Sequence, residues 1–207
     1  MSAARQSCLI VVFAKAPLAG YAKTRLIPAL GAQGAADLAL RMLRHAIHEA
    51  LVAGLGPVEL CCAPNAGHPA FSAAADARLI LTDQGEGDLG QRMARAVDRG
   101  LEQSDKVLLI GTDAPTLDAA VLRSAAAALD RHDAVFVPAL DGGYVLVGLR
   151  RSVREIFEDM PWSTPLVMAR TRERLVQPGV AVSHVELAPL PDVDAPADLV
   201  HLPRGWV

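Results

Sequence analysis

The amino-acid sequence predicts an α/β protein in which a largely parallel sheet is covered by helices on both faces. Short apolar segments rich in β-branched residues alternate with longer segments whose apolar residues recur at helical spacing. Several of the strand-like segments are apolar throughout, as is typical of parallel strands buried on both faces. With 207 residues, of which 52% are hydrophobic, the chain has the length and the apolar content for one three-layer domain.

The predicted elements alternate along the whole chain. Strands are expected at residues 8–14, 58–62, 78–82, 106–111, 134–138, 144–149 and 180–185. Helices are expected at residues 33–53, 89–101, 117–129, 153–158 and 165–176. Because no repeat or linker interrupts this alternation, we expect a flexible tail at residues 1–7 and a single domain at residues 8–207.

Composition and charge limit the classes of partner. Lysine plus arginine number 20 and aspartate plus glutamate 23, so the net charge is −3. This balance offers no electrostatic footprint for nucleic acid or an anionic membrane, and 4% aromatic residues argue against base stacking. Cys8, Cys61 and Cys62 show no disulfide framework or zinc spacing. We therefore expect a cytoplasmic protein with small-molecule partners; the oligomeric state is left open.

The loop after the first strand is rich in cations. Ligands of α/β sheets bind at the carboxyl ends of the strands, so loops in this position are candidate sites. Lys15, Lys23 and Arg25 lie within eleven residues here. Gly20 lets the backbone approach a ligand closely, and Thr24 adds a hydroxyl. These groups suit the oxygens of a polyphosphate; a solvated basic turn is the simpler alternative.

The end of this loop resembles the phosphate-binding Walker A motif G-x-x-x-x-G-K-[ST]. Lys23 and Thr24 match its last two positions. Pro17 and Ala22, however, stand where the motif needs glycines. We therefore do not expect a P-loop NTPase.

Residues 85–90 match the dinucleotide-binding pattern G-x-G-x-x-G between a predicted strand and a predicted helix. An NAD-linked oxidoreductase is therefore one alternative, with Asp113 near the position of a ribose-binding acid. Three carboxylates surround the loop and oppose a pyrophosphate there: Asp83, Glu86 and Asp88. We expect instead that Leu89 and Gly90 face a nucleotide base or ribose, with Arg92 near by. A plain glycine-rich start of a helix is the structural alternative.

Two acidic segments are candidate metal ligands. Asp113 directly follows a buried strand, and Asp192 and Asp194 lie on one face of an extended segment far along the chain. A carboxylate at a strand's carboxyl end that faces a basic loop suits Mg²⁺ or Mn²⁺, for which phosphates and water complete the shell. A helix N-cap or an Asx turn is the structural alternative for each.

The segment from Asp141 through Gly142 and Gly143 to Tyr144 lies between two predicted strands. Asp-Gly is a strong hairpin signal, so a turn explains it structurally. The glycines also open space beside Asp141 for an acceptor substrate. Trp162 either precedes a helix N-cap or lines the acceptor site.

These segments appear in one order along residues 8–200, and together they resemble the DUF2064 family of bacterial transferases associated with radical-SAM proteins. The motifs are Phe13-Ala-Lys-Ala-Pro17, Gly20-x-x-Lys-Thr-Arg-Leu26, Gly87-Asp-Leu-Gly-Gln-Arg-Met93, Gly111-Thr-Asp-Ala-Pro-Thr-Leu117, Asp141-Gly-Gly-Tyr144, Trp162-Ser-Thr164 and Asp192-Val-Asp-Ala-Pro-Ala-Asp198. The resemblance implies the fold of the nucleotide-diphospho-sugar transferase (glycosyltransferase A, GT-A) superfamily, a Rossmann-like αβα sandwich with a mixed, mostly parallel sheet. Molybdenum-cofactor nucleotidyltransferases and phospholactate guanylyltransferases are similar, since their first loops also end in Lys-(Thr/Ser)-Arg-Leu.

The resemblance also implies roles for individual residues. Asp113 is the implied first metal ligand and Asp194 the second, although Ala195 and Ala197 depart from the common wording of the last motif. The expected nucleotide-binding residues are Ala14, Lys15, Pro17, Gly20, Lys23, Thr24, Arg25, Leu89, Gly90 and Arg92. The expected acceptor-binding residues are Asp141, Gly142, Gly143, Tyr144 and Trp162. The expected catalytic residues are Lys23, Arg25, Asp113 and Asp141.

Two reactions fit this set of residues. Nucleotidyl transfer from an NTP with release of pyrophosphate needs cations for a triphosphate, and three cations in the first loop favour it. Glycosyl transfer from an NDP-sugar needs less positive charge but, when inverting, a carboxylate base, for which Asp141 is the candidate. The sequence favours nucleotidyl transfer to a small phosphorylated or hydroxyl acceptor. A non-catalytic nucleotide-binding partner of another enzyme is a further alternative.

Overall fold

A computed structural model gives the structure of residues 8–74 and 76–206. The predicted tail at residues 1–7 lies outside the described residues. In the described part of the chain seven strands form one sheet: β1 (Leu9–Lys15), β2 (Val58–Ala63), β3 (Leu79–Asp83), β4 (Val107–Ile110), β5 (Ala134–Pro138), β6 (Tyr144–Leu149) and β7 (His184–Glu186). Their order across the sheet is β3-β2-β1-β4-β6-β5-β7.

The sheet is mixed and mostly parallel. The pairs β3–β2, β2–β1, β1–β4 and β5–β7 are parallel, whereas β6 runs antiparallel to both of its neighbours, β4 and β5. The carboxyl ends of β1, β3 and β4 therefore meet at one edge of the sheet. The segments that follow them carry the basic loop, the glycine loop and Asp113.

Within residues 8–74 and 76–206, four α-helices cover the sheet: α1 (Ile27–Ala53), α2 (Leu89–Gln103), α3 (Ala119–Ala128) and α4 (Val167–Leu175). Side chains alternate between the two faces of each strand. Ile10 and Val12 of β1 thus pack in a core with α1 and α3, whereas Leu9 and Val11 pack in a second core with α2 and α4. The predicted three-layer sandwich is confirmed.

The largest differences from the predicted elements are in three places. The first helix begins earlier, at Ile27, because Pro28 in its first turn suits a helix start; Gly31, with φ of 71°, then kinks it. The helix expected at residues 153–158 is only a 3₁₀ turn, Arg154–Ile156. The last strand begins late, because Gly179 and Ala181 adopt positive φ values and turn the chain. Among the described residues, no helix combines the length and the apolarity needed to cross a membrane.

Candidate functional site

A cavity of about 560 Å³ opens at the edge of the sheet where β1, β3 and β4 end. Part of its lining comes from the segments that follow these strands, as expected for an α/β sheet, and part from later residues that include Tyr144, Trp162 and Asp194. The predicted site residues that line it are Lys15, Lys23, Thr24, Arg25, Leu89, Arg92, Asp113, Tyr144, Trp162 and Asp194. Ten predicted residues from six sequence segments thus share one cavity.

The ammonium group of Lys23 lies at the centre of the polar side of the cavity. Its Nζ is 2.7 Å from Oδ1 of Asp113 and 3.3 Å from Oδ1 of Asp194, and it donates to the carbonyl oxygen of Val193 at 2.6 Å. Arg25 approaches the other carboxylate oxygen, with Nη1 3.0 Å from Oδ2 of Asp194. The basic loop therefore meets both predicted acidic segments directly.

Backbone contacts bring the two acidic segments together. The amide of Val193 donates to the carbonyl oxygen of Asp113 at 2.8 Å, and the Val193 side chain is buried against α1. Oδ2 of Asp198 accepts from the amides of Asp194 at 3.0 Å and Ala195 at 2.7 Å. These hydrogen bonds lower the pKa of Asp198, since they stabilise its charged form. The last motif is thus fixed beside Asp113.

The N-cap alternative for Asp113 is wrong. Helix α3 is capped by Asp118, whose carboxylate accepts from the amide of Val121. The carboxylate of Asp113 instead points to Lys23 and is 49% exposed, and that of Asp194 is 42% exposed. Asp192, whose role the sequence left open, does not line the cavity.

The two carboxylates fit a hard divalent cation. Each presents Oδ1 to the same ammonium group, so a positive charge already lies between them. Within residues 8–74 and 76–206, no three His, Cys, Asp or Glu side chains are arranged to hold a metal ion by themselves. Mg²⁺ needs only one or two protein carboxylates when phosphates and water complete its shell. The pair therefore suits a metal ion that is bound together with a nucleotide.

The β5–β6 hairpin confirms the turn interpretation of residues 141–144. Oδ1 of Asp141 accepts from the amide of Gly143 at 2.8 Å, and Gly142 has φ of 94°. A Cβ atom on Gly142 would lie 2.3 Å from the carbonyl oxygen of Pro165, so only glycine fits there. Asp141, Gly142 and Gly143 do not line the cavity. Burial, followed by the charge of Asp141, raises the pKa of Asp192 to about 6.

The start of α2 is closed to a pyrophosphate by the protein itself. Asp88 caps the helix, with its carboxylate accepting from the amide of Gln91 at 2.8 Å, and Gln91 completes a capping box. Leu89 and Arg92 line the cavity, as expected, but Gly90 does not. A Cβ on Gly90 would lie 2.0 Å from the carbonyl oxygen of Phe157. Gly90 therefore permits close packing of α2 against the backbone at Phe157.

Three other predicted residues also lie outside the cavity lining: Ala14, Pro17 and Gly20. Gly20 adopts φ of 78° in the turn of the basic loop, a conformation that glycine permits. The carbonyl oxygen of Ala14 is engaged by a side chain that sequence reasoning missed, that of Gln84.

Gln84 is only 2% exposed, yet it contributes to the cavity wall. Its Nε2 donates to the carbonyl oxygens of Ala14 at 3.0 Å and Cys61 at 3.1 Å. Because both partners are acceptors, the amide orientation is fixed and Oε1 is the remaining acceptor. The sequence could have indicated this role, since Gln84 directly follows β3, and residues after the carboxyl ends of strands are candidate site residues.

The apolar side of the cavity contains the predicted aromatic residues. The rings of Tyr144 and Trp162 meet edge to face, with 6.4 Å between their centroids. The Tyr144 hydroxyl is buried and has no hydrogen-bond partner among the described residues, and burial raises its pKa. The N-cap interpretation of the segment after Trp162 is wrong. Helix α4 begins only at Val167, and its N-cap residue, Leu166, has no capping side chain.

A larger groove of about 670 Å³ lies along α2, but its arginines are already paired. Arg95 donates to the carbonyl oxygens of Gln84 and Glu86, and Arg99 is bound to buried Glu59. Arg154 forms an ion pair with Asp98 at 2.6 Å. These guanidinium groups are therefore already bound to protein oxygens, and the cavity at the strand ends is the better candidate site.

The sequence model of one protein family matches residues 46–164, and that family is described as "Uncharacterized protein conserved in bacteria (DUF2064)". The protein belongs to the DUF2064 family. The resemblance drawn from its motifs is thereby confirmed. No curated protein sequence matches this DUF2064 protein.

Solved structures show its fold. A protein from Desulfovibrio desulfuricans G20, provisionally named a nucleotide-diphospho-sugar transferase, is 28% identical, with a TM-score of 0.80 over 93% of this chain and 84% of that one. CMP:2-keto-3-deoxy-manno-octonic acid synthetase complexed with CTP is 15% identical, with a TM-score of 0.58 over 94% and 95% of the two chains. Glucosyl-3-phosphoglycerate synthase from Mycobacterium tuberculosis, in complex with Mn²⁺, UDP and glucosyl-3-phosphoglycerate, is 9% identical, with a TM-score of 0.57 over 94% and 75%. The DUF2064 protein has the nucleotide-diphospho-sugar transferase fold.

Proposed function

We propose that this DUF2064 protein is a divalent-metal-dependent transferase that uses a nucleotide. The reaction is transfer of a nucleotidyl group from an NTP to a small phosphorylated or hydroxyl acceptor, with release of pyrophosphate. The observation that carries the proposal is the contact of Lys23 with Asp113 and Asp194 in the lining of the cavity. A basic loop and two carboxylates in contact are what a metal–polyphosphate complex requires.

Asp113 and Asp194 would hold Mg²⁺ or Mn²⁺, which when bound supplies positive charge to the phosphate oxygens. Lys15, Lys23 and Arg25 surround the same region and would bind the phosphates and stabilise the charge that develops on the leaving pyrophosphate. No protein nucleophile is needed, because the acceptor oxygen attacks the α-phosphate of the donor. Positioning and charge stabilisation are therefore the work of these side chains.

Two further parts of the cavity have natural assignments in this proposal. Gln84 and Leu89 both line the cavity, and the Oε1 atom of Gln84 would accept a hydrogen bond from an N–H group of the base. Tyr144 and Trp162 form an aromatic wall that would contact the acceptor. Arg92 donates from Nε to the carbonyl oxygen of Gly87, and this hydrogen bond holds its guanidinium group in the cavity lining.

Glycosyl transfer from an NDP-sugar is the second candidate. It is supported by the fold it shares with glucosyl-3-phosphoglycerate synthase and by the provisional name of the D. desulfuricans protein. It needs a base when the reaction inverts, and Asp141 was the candidate. The carboxylate of Asp141 is engaged in its own turn and lies outside the cavity lining. The nucleotidyl reaction is therefore the better supported proposal.

A thermal-shift screen tests the donor. Purified protein with Mg²⁺ is melted with each NTP, each corresponding NDP-sugar and NAD, since a ligand at 100 times its Kd stabilises by about 2.7 kcal/mol. We expect stabilisation by one NTP, and loss of its Mg²⁺-dependent part in Asp113→Asn. Stabilisation by an NDP-sugar alone would replace the reaction proposed here with glycosyl transfer.

Turnover separates the remaining alternatives. Pyrophosphate release from the stabilising NTP is followed with phosphorylated and hydroxyl acceptors, and we expect it to require the divalent metal. Binding without turnover of any acceptor would favour a non-catalytic nucleotide-binding partner, and tight NAD binding without Mg²⁺ would favour an oxidoreductase. The cytoplasm is the proposed place of action, in keeping with three buried, unpaired cysteines.

A further inference from the structure

The ammonium group of Lys23 is held by the chain's own oxygens. Its Nζ donates to the carbonyl oxygen of Val193 and to Oδ1 of Asp194, and it forms an ion pair with Oδ1 of Asp113 at 2.7 Å. The Lys23 side chain is 7% exposed, whereas that of Arg25 is 64% exposed. The cation expected to bind phosphates is thus buried among three protein oxygens.

The same ammonium competes with a metal ion for both proposed ligands. It binds Oδ1 of Asp113 and Oδ1 of Asp194, so it occupies the space between the two carboxylates. A divalent cation needs those carboxylates and repels a neighbouring ammonium group. The metal and Lys23 therefore exclude each other from this position.

The backbone at Lys23 indicates that its contacts hold it in place. The residue has φ of 50° and ψ of 41°, a left-handed conformation that residues other than glycine adopt only rarely. Such a conformation persists where surrounding contacts over-determine it. Here the contacts are the three at the ammonium group and the burial of Leu26, three residues further on.

We propose that Lys23 is a resident cation of the metal site. In the nucleotide-free protein it forms ion pairs with Asp113 and Asp194, and on binding of a metal–nucleotide complex it is displaced to the phosphate oxygens of the donor. The inference rests on the proposed function, which assigns the two carboxylates to the metal. Metal alone then binds weakly, and nucleotide strengthens metal binding because its phosphates accept the displaced ammonium group.

Binding of Mn²⁺ to the nucleotide-free protein tests this directly. The signal of free Mn²⁺ in electron paramagnetic resonance gives the Kd without any turnover. We expect Lys23→Met to bind Mn²⁺ at least tenfold more tightly than the wild type. Lys106→Met is the matched control, since Lys106 also forms an ion pair with an aspartate, Asp130, but lies outside the cavity lining. Its Kd should change less than twofold.

Asp113→Asn, added to Lys23→Met, separates the inference from the proposed function. We expect this double variant to lose the gain in affinity. If it binds Mn²⁺ as tightly as Lys23→Met, the ion lies elsewhere and both proposals are overturned. If Lys23→Met binds no more tightly than the wild type while Asp113→Asn still weakens binding, only the role of Lys23 is overturned. Circular dichroism checks folding, and Lys23→Gln, of similar polarity, replaces a variant that fails to fold.

Discussion

Asp113 is the single residue on which the proposed chemistry depends most. Its carboxylate is half exposed and contacts Lys23, so its replacement removes charge from the site without opening a cavity in the core. We expect Asp113→Asn to reduce turnover by about 100-fold or more, in line with the loss of a preorganised charge. The melting temperature should change by no more than about 2 °C. Pyrophosphate release and thermal unfolding measure the two quantities.

Asp118→Asn is the control for that substitution. It makes the same chemical change five residues away, at the N-cap of α3. Asparagine caps helices about as well as aspartate, so neither turnover nor stability should change much. An Asp113→Asn protein that keeps its turnover would remove Asp113 from the proposed metal site.

At the level of single residues, the sequence predicted which side chains meet but not how they bind one another. Lys23, Asp113 and Asp194 were all expected at one edge, because each follows a strand or belongs to a recognisable motif. Their direct contact depends on the backbone bond between Val193 and Asp113, which links positions 80 residues apart. A long-range contact of this kind has no local signature in sequence.

Gly90 shows that an element can depend on the space around it more than on its own propensity. Alanine is favoured over glycine inside a helix by about 1 kcal/mol. In α2, however, a Cβ at position 90 would lie 2.0 Å from the backbone oxygen of Phe157. We expect Gly90→Ala to lower the free energy of unfolding by about 2 kcal/mol, as overpacking does. Urea denaturation measures the change.

Gly34→Ala in α1 is the matched substitution. The nearest atom to its added Cβ is the Cβ of Leu30, at 3.2 Å, and no backbone atom lies closer. The effect should therefore be smaller than at Gly90 and can be stabilising. Equal losses of stability at both positions would mean that the close approach of Phe157 to position 90 is not the cause of the loss.

An ion pair between Arg172 and Glu186 links α4 to the edge strand β7. Nε and Nη2 of Arg172 donate to the two carboxylate oxygens of Glu186 at 2.6 and 2.7 Å. This bidentate bond lowers the pKa of Glu186. The pair therefore stabilises the protein above the ordinary pKa of glutamate, about 4.3, and this stabilisation is lost as the pH falls through the lowered folded-state pKa.

Glu186→Gln should accordingly cost about 1 kcal/mol of stability at pH 7, and this cost should shrink as the pH falls through the lowered folded-state pKa of Glu186. Urea denaturation at a series of pH values measures the difference between variant and wild type. Glu173→Gln breaks an exposed pair with Arg170 within α4 and should cost less than about 0.5 kcal/mol. A cost at position 186 that does not change with pH would mean that packing, not charge, holds β7.

At the level of elements, periodicity predicted the long helices and the buried strands well. It was weakest for short elements, as at residues 153–158, where a helix was predicted and only the 3₁₀ turn Arg154–Ile156 forms. The short β7 illustrates the same limit, because three residues carry too little pattern to define a strand and positive φ values precede it. Neither the antiparallel β6 nor the order of the strands could be derived from periodicity alone.

At the scale of the whole molecule, the C-terminal segment connects the candidate site to α1. After Asp194 the chain crosses α1, where Leu199, Leu202 and Trp206 pack against a core that includes Leu26 and Val193. Trp206 meets His45 edge to face, with 5.3 Å between the ring centroids. The position of one proposed metal ligand thus depends on contacts made twelve residues later.

Trp206→Ala should loosen this segment without unfolding the sheet. We expect a loss of about 1–2 kcal/mol, less than for a fully buried tryptophan. The amides of Val193 and Asp194, which bond to Asp113 and Asp198, should exchange with deuterium about tenfold faster, as local opening becomes easier by about 1.4 kcal/mol. Val200→Ala is the control, because Val200 is 80% exposed. If both amides keep their wild-type exchange rates in Trp206→Ala, the site does not depend on the C-terminal contacts.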